Sequence, residues 1–290
     1  MLPFQFQEIH IENTNSCGYK CVMCPREQQS RKIGFMSLDD FSFLLDRIGP
    51  FEGHFHLHGF GEPLLDRLLA QKIKLLKGKS PQAVTQIFST LGVRVKEDCF
   101  TELAQAGLDS LGISMYGFQQ DEYKKVHGYD GLELVKRNLG LLSQAMKLPG
   151  VSLDAAIKIP AASISSTLPI APSPEKEAFC IWAQTLGFKI KQWPYVHNYG
   201  NGRNYNAPNQ EKMCPVINGR RKNILNITWD LNVIPCCYDF NASIRFGNLR
   251  EKTLAEIFSS PEYFKFLIAH KTGDLSAYPV CQTCEKADYE

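Results

Sequence analysis

Cys17, Cys21 and Cys24 fall within the eight residues CGYKCVMC, and the next cysteine is Cys99. This C-x3-C-x2-C run constrains the chain more than any other feature. Soft thiolates at such short spacing hold zinc or an iron–sulfur cluster, and both centres take four ligands. Three thiols in one loop leave one position to be filled from outside the run. Either a distant residue closes the site, as in half of a zinc site, or a non-protein ligand does. The stretch FQEIHIEN (6–13) alternates with period two and leads straight into the run, so the thiols lie just past a strand end.

The start of the chain lacks the basic and unbroken apolar regions of a signal peptide, and no stretch approaches bilayer-spanning length. A cytoplasmic location is the expectation. Ten cysteines in a reducing compartment point to metal or redox chemistry over a disulfide framework. Basic and acidic residues balance, 32 against 30, for a formal charge of +2. GRRK (219–222) is the one basic run and reads as a solvated turn. Neither nucleic acid nor a membrane is expected as a partner.

Strand-like and helix-like segments alternate through the first 195 residues. SLDDFSFLLDRI (37–48) opens on a serine cap, GHFHLHG (53–59) is a strand, and a helix is expected from Pro63. AVTQIFST (83–90), EDCFTELAQAG (97–107), LDSLGISMYG (108–117), a helix near 131–147 and VSLDAAIKI (151–159) continue the pattern. EKEAFCIWAQTLG and FKIKQW supply a last helix and strand. Repeated β–α units make a parallel sheet with right-handed crossovers, and about six of them fit an incomplete TIM-like barrel; a flatter doubly wound sheet is the alternative. The Pro/Ser-rich stretch 160–175 is a loop, either a cover over the barrel mouth or a surface insertion. VHNYGNGRNYNAPNQ (196–210) is the expected boundary, dividing residues 1–195 from 196–290. Beyond it lie a hairpin, NILNITWDLNVIPCC, and a helix near 252–270.

The cysteine run after a first strand resembles the signature of the radical S-adenosylmethionine (SAM) superfamily. That resemblance implies a [4Fe–4S] cluster on Cys17, Cys21 and Cys24, with SAM filling the open iron. Met23, before the last cysteine, stands where relatives often have an aromatic residue, and its thioether suits an adenine. GFGEP (59–63) resembles the family's glycine–glycine–glutamate motif, with Phe60 in place of the first glycine, Gly61 allowing close backbone approach and Glu62 accepting from the SAM ammonium. FSTLG (88–92) offers Thr90 and Gly92, with Leu91 where an asparagine is usual. GISMYG (112–117) offers Ser114 for the SAM carboxylate. His54, His56 and His58 share one strand face but lie too far apart for all three to reach one ion. His58, beside GFGEP, is expected to line the substrate cavity.

A second cysteine set comprises Cys214, Cys236 and Cys237 in VIPCCYDF, and Cys281 and Cys284 in CQTC. A zinc ribbon accounts for such spacing. The set also resembles the SPASM/twitch extension of radical SAM enzymes, which implies an auxiliary [4Fe–4S] cluster on Cys214, Cys236, Cys281 and Cys284, leaving Cys237 over. Cys99 and Cys180, on apolar helices, are expected to be buried core residues.

The layout resembles the radical SAM dehydrogenases that act on aminocyclitols. It implies hydrogen abstraction from a small polar substrate, oxidation of an alcohol, and electron acceptance by the auxiliary cluster. A reductant such as flavodoxin or ferredoxin is implied as partner. In those dehydrogenases a turn carrying arginine precedes the auxiliary cluster; here it reads NYGNG, with Arg203 displaced. Arg203, Tyr238 and Asp239 are the candidates for substrate contact or proton removal. A radical epimerase is the alternative, with a thiol such as that of Cys237 returning hydrogen. Others are a peptide-modifying enzyme, for which no leader-binding wing is visible, and a non-enzymatic zinc- or cluster-binding protein.

Overall fold

The computed structural model describes residues 6–161, 173–193, 196–200, 202–205, 214, 217 and 223–285. The expected cover at 160–175 falls mostly, and GRRK wholly, outside them.

Six parallel strands form the frame: β1 (Glu8–Ile11), β2 (His54–His56), β3 (Val84–Ser89), β4 (Ser110–Ser114), β5 (Asp154–Pro160) and β6 (Lys189–Trp193). They alternate with α1 (Leu38–Ile48), α2 (Leu69–Lys79), α3 (Cys99–Gln105), α4 (Gln120–His127), α5 (Leu132–Met146) and α6 (Pro174–Thr185). This is the expected partial (β/α)6 architecture. Local chemistry sets the element ends. Ser37 caps α1 by accepting the Asp40 N–H at 3.0 Å, Asp39 and Asp40 favour its positive end, and it stops at Gly49, whose φ of +76° suits glycine.

Strand alternation sorts the two faces. Ile9, Ile11, Phe55, Leu57, Ile87, Leu111, Ile113 and Ile157 are buried in the apolar core with residues of α1–α3 and α5. The other face carries Glu8, His10, His56, Gln86, Phe88, Ser114 and Lys158, in positions that register places side by side. Polar residues thus line the interior of the half-barrel, and apolar ones seal its outer layer.

The segment after residue 223 does not stand apart. β7 (Ile224–Ile227) pairs in parallel with β1, then β8 (Asn232–Ile234) and β9 (Gly247–Asn248) follow antiparallel, so that one nine-stranded sheet runs β6-β5-β4-β3-β2-β1-β7-β8-β9. The hairpin of β7 and β8 matches expectation; its attachment beside β1 is new. In place of one helix near 252–270 there are two, α7 (Leu254–Phe258) and α8 (Pro261–Thr272). Pro261 cannot continue a helix but suits the first turn of the next one, which Ser260 caps. A short α9 (Pro279–Gln282) carries Cys281.

Candidate active site

The three-cysteine loop lies past the end of β1 and is fixed from three sides. Backbone N–H groups of Lys20 and Val22 donate to the carbonyls of His127 and Val126 at the end of α4, at 3.1 and 2.9 Å. Arg26 reaches back to the carbonyls of Asn15, at 2.7 Å, and Cys17, at 3.1 Å. Arg203 closes the third side. Its Nε donates to Val22 O at 2.8 Å, Nη2 to Cys24 O, Nη1 to Gly202 O, and the two Nη atoms grip Glu27 at 2.6 and 3.0 Å. All five guanidinium donors are engaged. Arg203 therefore positions the cysteine loop, and the expected substrate contact would compete with these bonds.

His127 backs the loop. Its Nε2 accepts the Tyr116 N–H at 3.2 Å, which places the imidazole proton on Nδ1, 3.4 Å from Cys21 Sγ. Burial pushes its pKa down to about 3, so the ring is neutral. His127 is thus a hydrogen-bond donor to sulfur and does not supply the fourth ligand. The sequence singled it out by no motif.

The thiols are crowded. Burial and then the charges of Cys24 and Cys17 push the Cys21 thiol well up, and burial and then Cys17 push Cys24 up to about 11. Buried thiols that resist joint ionisation in the bare protein suit a strongly cationic centre, which deprotonates its ligands outright. Donor spacing says which kind. Among the described residues, one group of three candidate ligands lies within 4.8 Å of one another, and it contains no cysteine. Thiolates on a single zinc ion at about 2.3 Å would lie within about 4 Å of each other. The wider spacing fits thiolates on separate irons of a cluster.

The surrounding loops assemble against the same strand end. Gly61 is needed for close approach: a Cβ there would meet Thr14 O at 2.3 Å and Ser16 O at 2.8 Å. Glu62 is buried, and its carboxylate accepts from Ser89 Oγ at 2.6 Å, Leu64 N at 3.2 Å, and Thr90 N and Oγ1 at 3.0 Å each. It fastens GFGEP to the end of β3 and brings Glu62 against Thr90, with both carboxylate oxygens engaged. Leu91 has φ +57°, a conformation asparagine tolerates and leucine rarely adopts. The Leu91 and Val93 carbonyls are held by Asn138 Nδ2 at 2.6 and 2.8 Å. Ser114 ends β4, two residues before Tyr116. Met23 is buried in the apolar cluster. Phe60 faces the C-terminal segment, packing on Tyr199 and Phe240 at 5.5 Å each.

A second centre lies beside β7 and β8. A cavity of about 250 Å³ is lined by all five C-terminal cysteines, Cys214, Cys236, Cys237, Cys281 and Cys284. Cys236 is raised well above its ordinary value by burial, then by Cys237, Cys284, Cys281 and Cys214. No cysteine of the chain is in a disulfide. The four expected ligands therefore converge, with Cys237 alongside them. Tyr238 lines the same cavity and packs on His197 at 4.8 Å. Asp239 is buried and accepts from Ser243 N and Oγ and Ile244 N at 2.8–2.9 Å, so it organises the turn that carries the cysteines, with no carboxylate oxygen left unbonded for proton removal. Glu285 accepts from Asn198 N and contacts His197 Nδ1, both at 3.2 Å, tying the last cysteine pair to the 196–205 segment. Cys99 and Cys180 pack against the core but are half-buried, short of the full burial expected.

On the inner face, His58 packs edge-on to Phe88 at 4.8 Å, and burial with its charged neighbours holds it neutral. Sequence reasoning missed Lys158. Its Nζ lies 3.9 Å from the Phe88 ring centre and 4.5 Å from that of Trp193, and burial with Lys191 lowers its pKa to about 8. The alternation of VSLDAAIKI was the available signal: it places a lysine on the inner face of β5, with β4 and β3 between it and β2.

The comparisons with known proteins follow this anatomy. The radical SAM superfamily profile matches residues 11–154, and that of the SPASM iron–sulfur cluster-binding domain matches 214–285. The chain is 25% identical, over 97% of its length and 87% of the relative's, to a tungsten-containing aldehyde ferredoxin oxidoreductase cofactor-modifying protein of Pyrococcus furiosus. It is 23% identical, over 98% of its length and 95% of the relative's, to a SAM-dependent 2-deoxy-scyllo-inosamine dehydrogenase of Niallia circulans. Its fold is similar to that of BtrN in complex with AdoMet and 2-DOIA, with a TM-score of 0.64 at 19% identity, covering 97% of this chain and 93% of that one. It is also similar to anSMEcpe with bound AdoMet, with a TM-score of 0.64 at 14% identity, covering 96% and 89%. The chain is a radical SAM enzyme with a C-terminal SPASM iron–sulfur domain.

Proposed function

We propose that this enzyme oxidises a secondary alcohol of a small polar substrate of the carbohydrate or aminocyclitol class to a ketone. The observation that carries the reading is the five-thiol cavity within the same sheet as the three-cysteine loop. When bound, SAM and the two clusters supply a hydrogen-atom acceptor and an electron acceptor, and the alcohol carbon and oxygen lose one hydrogen atom, one electron and one proton in all.

The chain's own residues provide placement and the proton site. Cys17, Cys21 and Cys24 hold the first cluster, with His127 donating to Cys21 and Arg203 fixing the loop. Glu62, Thr90 and Ser114 would border SAM when it is bound. Lys158, on the polar inner face with a pKa near 8, is suited to receive the hydroxyl proton. His58 and Phe88 form the adjoining wall. Residues 1–195 carry the SAM chemistry and 196–290 the auxiliary centre, joined through β7 and Arg203. Among the described residues no helix is long and apolar enough to cross a membrane. A cytoplasmic setting and a flavodoxin- or ferredoxin-type reductant belong to the same reading.

Cys237 favours one second reading. It adjoins Cys236 yet is surplus to four ligands, and its side chain is exposed. A thiol there suits an epimerase that returns hydrogen to the substrate. Anaerobic incubation with SAM, a reductant and a panel of polyols and aminocyclitols in D2O separates the two. A dehydrogenase releases 5′-deoxyadenosine with a ketone free of solvent deuterium on the oxidised carbon. An epimerase gives inverted product carrying deuterium, and no 5′-deoxyadenosine with any polyol argues against both substrates.

A further inference from the structure

The histidine row of β2 cannot gather on one ion by itself, but the neighbouring strand changes the geometry. In the β1–β2 register Glu8 faces His54 and His10 faces His56, and Glu8 and His10 share the inner face. Ligand atoms of Glu8, His10 and His56 all lie within 4.8 Å of one another. Both imidazole Nε2 atoms address the same carboxylate oxygen, Glu8 Oε2, at 3.2 Å for His10 and 3.6 Å for His56. The three side chains are 12–17% exposed.

We infer that Glu8, His10 and His56 form a site for a single divalent transition-metal ion of the zinc or iron(II) type, separate from both thiol centres. A hydrogen bond explains the His10 contact. His56 stands 3.6 Å from the same oxygen, beyond hydrogen-bond range but within ion-pair distance. Donors placed about 2.0–2.2 Å from one ion lie roughly 3.0–3.5 Å apart, close to the two spacings observed. Two imidazoles and one carboxylate are a donor set that borderline divalent ions favour, and three protein ligands leave coordination positions open. The chelating pair at alternate positions of one strand, with a third ligand directly across the ladder, is held by the sheet itself. His10 also lines the five-thiol cavity, and Asn226 lies opposite it on β7. The open positions would take water or a substrate oxygen at that wall. This inference is independent of which substrate the enzyme oxidises.

Zinc retention by the cluster-reconstituted holoenzyme tests it, because the thiols are then occupied by iron. After incubation with zinc and exhaustive desalting, the wild type is expected to keep one zinc per chain. X-ray absorption at the zinc edge should show imidazole and oxygen scattering near 2.0–2.2 Å and no sulfur shell near 2.3 Å. Glu8→Gln, His10→Ala and His56→Ala should each weaken retention at least about tenfold, while His54→Ala, on the same strand but outside the trio, should not. Iron content and melting temperature report whether each variant folds, and the absorption spectrum of the wild type decides the matter if they do not. No retained zinc, a zinc–sulfur shell, or undiminished retention in folded trio variants would overturn the assignment.

Discussion

The two thiol centres are built in opposite ways. The N-terminal one takes three cysteines from eight consecutive residues, in a loop clamped by hydrogen bonds from α4, Arg26 and Arg203. The C-terminal one gathers cysteines from positions 214 to 284 around a largely apolar cavity whose walls include Phe246, Phe258 and Phe266. The first has one ligand too few for a four-iron cluster and the second one more than enough. A loop with three thiols keeps an iron accessible to a cosubstrate; a closed four-thiolate set has no open iron and suits electron transfer. The contrast teaches that the number of thiols, and the stiffness of what holds them, divides the labour between the centres.

The largest effect should come from replacing Cys17, Cys21 and Cys24 together with alanine. Formation of 5′-deoxyadenosine should vanish, and iron should fall from about eight to about four per chain, the remainder belonging to the C-terminal set. Full iron with the triple variant would break the division. Replacing Cys236, Cys281 and Cys284 together with alanine, which leaves the second set two thiols, should instead leave 5′-deoxyadenosine formation measurable and abolish ketone, uncoupling the two products on one chromatogram.

Lys158→Met is expected to slow ketone formation about 100-fold, the lower end of general-base contributions. The sign of the pH dependence follows from its lowered pKa: a base must be unprotonated, so the wild-type rate should rise with pH through about 8, and the variant's should not. A smaller effect is expected at the clamp. Arg203→Lys loses the fork that spans Glu27 and the Val22 and Cys24 carbonyls, and should cost about 2–3 kcal/mol of stability together with iron at the first centre. Thermal melting and iron analysis would show it; a drop in iron confined to the C-terminal centre would contradict the assignment of Arg203 to the loop.

How legible each centre was follows from the same contrast. The three-cysteine loop, the Ser37 cap and the alternating strands are local, and periodicity with spacing reveals them. α4 escaped notice because QDEYKKVH buries only Tyr123, Val126 and His127, too few for a clear apolar stripe. The pairing of β7 with β1, the grip of Arg203 on residues some 180 positions earlier, and the His127 bond to Cys21 depend on topology, which leaves no periodic trace in sequence. The His10–His56 pairing depends on strand register in the same way. The resemblance to aminocyclitol dehydrogenases points to Arg203 and Asp239 as chemical groups, but the backbone and side-chain bonds that engage both depend on the fold and leave no trace in the sequence.

The difference between the centres is tested most directly by electron paramagnetic resonance of the anaerobically reduced protein with Cys236, Cys281 and Cys284 all replaced by alanine, which leaves the second set two thiols and lets the N-terminal cluster be watched alone. Adding SAM should change that signal, through direct coordination at the iron that no cysteine holds. A spectrum unaltered by saturating SAM would contradict the account.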